Sequence, residues 1–243
     1  MVAGAYRSVQ TRIAELAVGA DPSTRVPACP EWDIRQLVAH LTGLAEDVAE
    51  GNLRGYGGEP WTARQVESRS NRDIDILLLE WADHTSELDT ILEHPHSAGM
   101  GDSFDSAVAG TQPIATLPGA VLGDAVIHEH DLRGALGNAD ARNSAELIGA
   151  LDGMIRGIRR GFPRAGVPTL RVVATDVGME WLMGLDAPKA ELRATAYELF
   201  RSVSGRRTKA EIADLTWEGD PKPFLDHLVW PFFSVPTESL AEA

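Results

Sequence analysis

The chain has 243 residues, 36 of them acidic and 22 basic, and a formal net charge of −14 at pH 7. This length supports one large domain or two modest ones with a true hydrophobic core. This excess of acidic residues argues against proteins that bind nucleic acid or anionic lipid, because such proteins neutralise phosphate with clustered Lys and Arg. We therefore expect no nucleic-acid partner and no docking on anionic lipid.

The cysteine count and the apolar pattern both bear on the compartment. Cys29 is the only cysteine, which leaves no internal disulfide framework and fits a reducing environment. The first residues follow the pattern of an amphipathic helix rather than a secretion signal, and no apolar stretch is long enough to span a bilayer. The sequence therefore predicts a cytoplasmic protein, either a monomer or a homodimer.

Helical periodicity dominates the first two-thirds of the chain. The predicted helices cover, in chain order, residues 6–18, 33–48, 61–92, 117–136 and 144–160. Asp33 is a suitable N-cap for the second helix, and Gly137 is placed to end the fourth. A glycine-rich loop over 51–60 and a long connection over 94–113 separate these helices. Several helices joined in this way predict a helical bundle.

The pattern changes after the Pro- and Gly-rich segment 161–168, which we interpret as a linker. The predicted elements beyond it are a strand over 169–176, a helix over 191–203 ended by Gly205, a strand over 213–220 and a closing helix over 220–230. The sequence thus predicts an α+β protein. Its domains are a helical bundle over residues 1–162 and a small α/β domain over residues 168–243.

Asp124, His128 and His40 are candidate metal ligands. Residues four apart share one face of a helix, so Asp124 and His128 should be neighbours near the edge of the bundle core. His40 has a similar position on the second predicted helix. Two imidazoles and a carboxylate suit zinc and other first-row ions, and leave one coordination position open. Asp131, on the same stripe as His128, would orient a ligand from behind.

A simpler interpretation of this spacing stays open at this point. An Asp–His pair four residues apart on a surface helix usually forms only an exposed pair worth a few tenths of a kcal/mol. A histidine near an apolar face, such as His40, is more often packed than metal-bound.

Two segments around these residues carry a family resemblance. The segment 26–41, VPACPEWDIRQLVAHL, contains a Cys-Pro-x-Trp motif and a helix with His-Leu. The segment 122–137, LGDAVIHEHDLRGALG, contains an acidic residue four before a histidine. Both resemble the mycothiol-dependent maleylpyruvate isomerase family of the DinB-like superfamily. The Ala-Thr-Asp at 174–176 and the Gly-Arg at 205–206 are similar to its C-terminal part.

The resemblance implies a fold, a metal and a co-substrate. It implies a DinB-like four-helix bundle followed by a small α/β domain resembling sterol-carrier-type folds. It implies a divalent metal, zinc, held by His40, Asp124 and His128, with Asp124 where the family commonly has glutamate. It also implies mycothiol as thiol co-substrate and a small electrophilic molecule as substrate. The expected activity is that of an S-transferase or a cis–trans isomerase.

Two arginines are candidate catalytic residues, because an anionic substrate favours a two-pronged guanidinium contact. Arg206 follows the helix end that matches the family's Gly-Arg motif, although a cation there also complements a helix dipole without catalysing anything. Arg72 is expected on the long third helix, where a solvated helix face is the alternative.

The remaining reactive side chains have simpler interpretations. We expect Cys29 and Trp32 to pack, His94 and His96 to lie in an exposed loop, and His227 to pack in the closing helix. Two other functions stay open: a zinc-dependent hydrolase, in which the metal activates water, and a non-catalytic binding module.

Overall fold

The structure is a computed structural model that describes residues 2–230 and 232–240. The chain divides into two compact units, one within Met1–Ala139 and one within Asp140–Ala241. Helices and two small sheets together make an α+β protein, as predicted. Within the described ranges, no helix combines the length and apolarity needed to cross a bilayer.

Helices form most of the first unit. They are α1 (Val2–Ala17), α2 (Ile34–Ala49), α3 (Glu59–Glu67), α4 (Ile74–Asp83), α5 (Thr85–Glu93) and α6 (Leu117–Ala135). An antiparallel pair, β1 (Ser103–Ser106) and β2 (Gly110–Pro113), lies in the connection before α6. Helix α1 packs on α5 and α6, while α2 packs on α3, α4, α5 and α6.

Helices α2 and α6 begin and end where their sequences indicate. The Asp33 side chain accepts from the Gln36 N–H at 2.8 Å, and the Gln36 side chain accepts from the Asp33 N–H at 2.9 Å. This reciprocal capping box satisfies two backbone donors and fixes the start of α2. Helix α6 ends before Gly137, whose φ of 63° is left-handed and stops the helix. Both predicted boundaries are confirmed.

The predicted long helix over 61–92 is wrong, because the chain breaks twice within it. Helix α3 ends at Glu67, and α4 begins after Asp73, whose extended backbone (φ −73°, ψ 154°) is that of an N-cap. The intervening SRSNRD is rich in Ser, Asn and Asp, whose side chains compete for backbone hydrogen bonds and favour helix ends. A second break at His84 separates α4 from α5.

The second unit combines a four-stranded sheet with short helices. Its elements are α7 (Ala145–Ile158), α8 (Phe162–Ala165), β3 (Leu170–Ala174), β4 (Met179–Met183), β5 (Ala190–Ala194), α9 (Ala196–Val203), α10 (Lys209–Ala213) and β6 (Thr216–Glu218). The strand order is β4-β3-β5-β6. Strand β3 pairs antiparallel with β4 and parallel with β5, and β5 pairs antiparallel with β6. Helix α7 packs on α9 and β4.

Several predictions for the second unit need correction. Residues 190–194 form strand β5 rather than the start of a helix, because Ala190 and Leu192 alternate with more exposed neighbours. Residues 220–230 form turns rather than a closing helix, since two prolines occur within DPKPF. Helix α7 packs within the second unit, whereas the prediction placed it in the first domain. Strand β4, helix α10 and the β1–β2 pair were not predicted.

Candidate metal centre

Three side chains from α2 and α6 converge as the sequence predicted. The ligand atoms of His40, Asp124 and His128 all lie within 4.8 Å of one another. His40 Nε2 is 3.2 Å from Asp124 Oδ2, and His128 Nε2 is 3.8 Å from Asp124 Oδ1. The two imidazole centroids are 5.0 Å apart with the rings 78° from parallel. Both Nε2 atoms therefore face one carboxylate from different directions.

Gln65 fixes the orientation of the His40 ring. Its Oε1 lies 2.9 Å from His40 Nδ1, and its Nε2 donates to Asp47 Oδ2 at 2.6 Å. The carboxylate of Asp47 accepts only, so the amide oxygen must be the atom that faces His40. His40 Nδ1 therefore carries the hydrogen and donates to Gln65.

Asp131 contacts the His128 ring at Nδ1, as Gln65 contacts the His40 ring. Asp131 Oδ2 lies 3.0 Å from His128 Nδ1, and the Asp131 side chain is fully buried. The Cys29 thiol donates to the same oxygen at 3.5 Å. Asp131 thus lies behind His128, in the position of a residue that orients a ligand.

Acceptor oxygens face both ring nitrogens of His40 and of His128. A neutral imidazole has one N–H, which each ring uses at Nδ1 toward Gln65 or Asp131. Each Nε2 then points a lone pair toward the Asp124 carboxylate, which is an unfavourable arrangement in a buried site. A cation between the two Nε2 atoms and Asp124 removes this conflict. The donor set, two imidazoles and one carboxylate, therefore fits zinc or a similar divalent ion.

A short loop before α2 covers one side of this group. The indole of Trp32 lies 5.1 Å from the His40 ring and 5.7 Å from the His128 ring, centroid to centroid. Backbone hydrogen bonds from Val26 N–H to Trp32 C=O and from Trp32 N–H to Cys29 C=O hold the loop in this shape. Asp124 is the most accessible ligand, at 22% exposure against 5% and 7% for the two histidine side chains. Solvent therefore reaches the group from the Asp124 side.

Among residues 2–230 and 232–240, two further clusters contain metal-ligand side chains. Cys29, His128 and Asp131 form one, which shares His128 with the candidate centre. Glu46, Glu80 and His84 form the other. The guanidinium of Arg69 lies 2.7 Å from both of these glutamates, so the second cluster is an ion-pair network that repels a metal cation.

The two predicted catalytic arginines have structural contacts. Arg72 does not lie on a helix, because it is in the break between α3 and α4, where it pairs with Glu80. Arg206 is buried, donates from Nη1 to the Ser204 carbonyl at 2.7 Å and lies over the ring of Phe233. The contact with Ser204 satisfies a carbonyl at the end of α9. A catalytic role for either arginine stays a prediction.

The other singled-out side chains are placed mainly as expected. His96 is exposed, and its Nδ1 lies 3.9 Å from Asp102. His227 contacts Phe162 edge-on, although it lies in a turn rather than a helix. Trp32 does pack, but against the two candidate ligands. Cys29 has an acidic neighbour in Asp131, which sequence reasoning missed because 102 residues separate the two.

Sequence reasoning also missed Gln65 and two buried tyrosines, Tyr6 and Tyr56. Burial raises the pKa of Tyr6 and of Tyr56 above the ordinary value of 10, and the charge of Asp124 adds to both shifts. Both phenols therefore stay protonated and able to donate. No local sequence pattern links either tyrosine to Asp124. Tyr6 lies on α1, Tyr56 lies in the glycine-rich loop, and Asp124 lies on α6.

Because α2 and α3 are in close contact, adding one methyl group at Gly43 is expected to destabilise the protein. A Cβ at Gly43 would lie 2.6 Å from Gln65 Cβ, whereas a Cβ at Gly153, in the middle of α7, meets nothing within 4 Å. Gly43→Ala is therefore expected to lower the free energy of unfolding by about 1–3 kcal/mol, since overpacking displaces Gln65. Gly153→Ala is the control and should raise it by about 0.5–1 kcal/mol through helix propensity. Urea denaturation measures both, and a stabilising Gly43→Ala would contradict the packing.

Comparisons with known proteins identify the family and the fold of this chain. The family model described as the mycothiol maleylpyruvate isomerase N-terminal domain matches residues 3–133. A crystal structure of the mycothiol-dependent maleylpyruvate isomerase and one of its single-residue mutants are similar to this chain, each with a TM-score of 0.60 and 14% and 12% sequence identity. Each comparison covers 84% of this chain and 88% of the other, which shows a shared fold. A search of curated proteins found no match. Because the family model spans more than half of its residues, this chain belongs to the mycothiol maleylpyruvate isomerase N-terminal domain family.

Proposed function

We propose that this protein is a metal-dependent enzyme that uses mycothiol to act on a small electrophile. One observation carries the proposal: the Nε2 atoms of His40 and His128 both face the Asp124 carboxylate while their Nδ1 atoms are held by Gln65 and Asp131. Three ligands with two oriented imidazoles match an open zinc site. Family membership supports the same chemistry.

His40, Asp124 and His128 would hold the metal ion, with zinc the best match to the donor set. A bound divalent ion supplies positive charge that favours the thiolate form of a low-molecular-weight thiol, which is otherwise mostly protonated at neutral pH. Asp124 is one methylene shorter than the glutamate common in the family. Its carboxylate oxygens nevertheless lie 3.2 Å from His40 Nε2 and 3.8 Å from His128 Nε2.

Thiol-assisted cis–trans isomerisation is the preferred reaction. The thiolate sulfur bonds to one carbon of a conjugated double bond, and the displaced electron pair moves to the conjugated carbonyl oxygen. Rotation about the resulting single bond follows, and return of the electron pair expels the thiolate, so no thiol is consumed. In the S-transferase alternative, the sulfur–carbon bond is kept, the enolate takes up a proton at carbon, and the thiol is consumed.

This chain's own residues supply orientation and shielding. Gln65 and Asp131 hold the imidazoles, while Trp32 covers them and keeps water from that side. The more exposed Asp124 marks the side from which thiol and substrate would approach. Arg206 and Arg72 stay our candidates for contacting an anionic substrate.

We also propose the finer features of fold and setting. Helices α1, α2, α5 and α6 would form the DinB-like four-helix bundle, since α1 and α2 each pack on α5 and α6. The β4-β3-β5-β6 sheet with its helices would be the sterol-carrier-type domain. We propose two folding domains, as the sequence indicated, but with the boundary moved from 162–168 to 139–140 so that α7 belongs to the second. We also propose a cytoplasmic monomer or homodimer without nucleic-acid or membrane partners.

Cobalt substitution followed by thiol addition tests the proposal. Protein loaded with one equivalent of Co²⁺ should develop a sulfur-to-cobalt charge-transfer band when mycothiol is added, because sulfur enters the open position. Incubation with maleylpyruvate or another cis-conjugated acid should then give the trans isomer without loss of thiol. Consumption of thiol would favour the transferase, and turnover with water alone would favour a hydrolase. Absence of both metal and turnover would leave a binding module.

A further inference from the structure

Asp47 is a buried carboxylate at the far end of a hydrogen-bonded chain from His40. It lies on α2 seven residues after His40, about two helical turns along the same face, and is 5% exposed. Its Oδ2 accepts from Gln65 Nε2 at 2.6 Å, and Arg64 Nη2 lies 2.8 Å from both of its oxygens. Gln65 Oε1 lies 2.9 Å from His40 Nδ1. A continuous chain of polar contacts therefore connects Asp47 to a candidate metal ligand.

A glutamine amide and a neutral imidazole can pair in two ways. In the first, His40 Nδ1 carries the hydrogen and donates to the Gln65 oxygen, so the lone pair of Nε2 is available to a metal. In the second, the amide is turned over, its NH2 group donates to Nδ1, and the hydrogen is on Nε2. That hydrogen would point at Asp124 Oδ2, 3.2 Å away, and a nitrogen that carries a hydrogen cannot bind a metal. The second arrangement satisfies His40 without a metal, so binding requires that it be excluded.

The Asp47 carboxylate excludes the second arrangement. With the amide turned over, the Gln65 oxygen would take the place of Nε2, which now lies 2.6 Å from Asp47 Oδ2. A carboxylate only accepts, so two acceptors would then be in contact. Gln65 is 2% exposed, and bulk water cannot replace the lost partner. Two buried acceptors facing each other are unfavourable, which leaves the first arrangement.

We propose that Asp47 is a positioning residue of the metal site, acting through Gln65 to keep the hydrogen of His40 on Nδ1 and the lone pair of Nε2 directed at the metal. This inference rests on the proposed function. It gives the two imidazole ligands equivalent arrangements, since Asp131 contacts His128 Nδ1 directly and Asp47 acts on His40 Nδ1 through an amide. A carboxylate thus determines the tautomer of each ring.

Moving the carboxylate along the chain tests the inference. Asp47→Asn keeps the shape but can donate to the Gln65 oxygen, so the amide is free to turn over. It should bind zinc about tenfold more weakly, the lower end of the loss expected for an outer partner, as measured by competition with a chromophoric chelator. Adding Gln65→Glu to Asp47→Asn restores the total charge and places an acceptor-only group at His40 Nδ1. The double variant should recover most of the lost affinity.

Arg64→Gln is the matched control. The Arg64 side chain is 55% exposed, and its removal breaks the ion pair on the solvent side of Asp47 while keeping the carboxylate. The amide of Gln65 then stays in the first arrangement. Zinc affinity should hardly move, because a pair with so exposed an arginine contributes little.

The His40 tautomer is a second measurement that a packing role of Asp47 would not change. Long-range proton–nitrogen correlation spectra of metal-free protein at mildly alkaline pH should show the His40 hydrogen on Nδ1 in wild type and in the double variant. In Asp47→Asn it should lie partly on Nε2. His128 faces Asp131, which these variants leave in place, so its hydrogen should stay on Nδ1 throughout. His40→Ala identifies the signals of this ring.

Two outcomes would overturn the inference. One is a zinc affinity of Asp47→Asn within about twofold of wild type, with the His40 hydrogen still on Nδ1. The other is a folded double variant that binds zinc no better than Asp47→Asn, because moving the carboxylate does not repair a packing defect. If the double variant does not fold, the tautomer in Asp47→Asn decides alone. Wild type without stoichiometric zinc would overturn the proposed function, and the metal-free tautomers would still show whether Asp47 acts on His40.

Discussion

Replacing His40 by alanine is expected to remove metal binding and, with it, thiol-dependent turnover. His40 would supply one of three ligands, and a direct ligand should matter more than the outer partners, whose loss costs about 10–100-fold in affinity. We therefore expect zinc affinity to fall by more than about 100-fold. Dialysed protein should then hold little zinc, as measured by elemental analysis.

His40→Ala also shows which of two overlapping candidate metal clusters binds the ion. His128 belongs both to the group with His40 and Asp124 and to the group with Cys29 and Asp131. If the metal lies in the first group, His40→Ala removes it and Cys29→Ala leaves it bound. The reverse result would place the metal beside Cys29 and sink the proposed site. His96→Ala is the matched control, because that histidine is exposed and lies in the loop after α5.

Thermal stability gives a second measurement for His40→Ala. A ligand present at 100 times its Kd stabilises the folded state by about 2.7 kcal/mol, and a 100-fold weaker site reduces this to about 0.4 kcal/mol. Zinc should therefore raise the melting temperature of wild type and barely move that of the variant. Comparing each protein with and without zinc corrects for the cavity that alanine leaves.

The sequence was sufficient to identify the candidate ligands but not what holds them. Asp124 and His128 share one helix, so their proximity follows from local periodicity. Grouping His40 with them needed the support of the family resemblance, because 84 residues separate it from Asp124 and its helical position alone left a packed histidine as the alternative. Gln65 carries no local signal, since its role depends on α3 folding back onto α2. The contact between Cys29 and Asp131 also carries no local signal, because it depends on how segments distant in sequence pack together.

Helix boundaries were likewise predictable only where neighbouring residues determine them. The capping box at Asp33 and the left-handed glycine at Gly137 act through neighbouring residues, so both were predictable. The break after Glu67 has neither proline nor glycine; Ser, Asn and Asp in SRSNRD only weaken the helix there, and α3 and α4 each pack separately on α2. Residues 190–194 fit helical and strand periods equally well until β3 and β6 provide partners on both sides.

Replacing Glu129 by glutamine is expected to cause a large loss of stability in the first unit. Glu129 is fully buried on α6, next to His128, and accepts hydrogen bonds of 2.8–3.0 Å from Arg12 and Arg133. Glutamine fills the same space but leaves the Arg133 guanidinium buried without a counter-charge. Removing one partner of a buried ion pair costs about 3–5 kcal/mol, a large share of the 5–15 kcal/mol typical of whole proteins.

Lowering the pH should reduce the stability difference between wild type and Glu129→Gln. Burial favours the neutral form of Glu129, but hydrogen bonds from Arg12 and Arg133 outweigh it, and the pKa lies below its ordinary value of 4.5. A lowered pKa means that the folded state holds the proton less tightly than the unfolded chain. The stabilisation is therefore complete above pH 4.5 and is lost as the pH falls through the lowered pKa. Wild type and Glu129→Gln should converge in stability over that range.

Urea denaturation of both proteins from neutral to acidic pH measures this effect. Arg156→Gln is the matched control, because it breaks an ion pair with Asp152 whose arginine is largely exposed, and its unfolding midpoint should hardly move. A loss below about 1 kcal/mol in Glu129→Gln would contradict a buried charge network. The same network pins α1 against α6, and α6 carries two of the three candidate ligands, so Glu129→Gln should also weaken zinc binding. Unchanged zinc affinity in a destabilised Glu129→Gln would show that the metal site does not depend on this register.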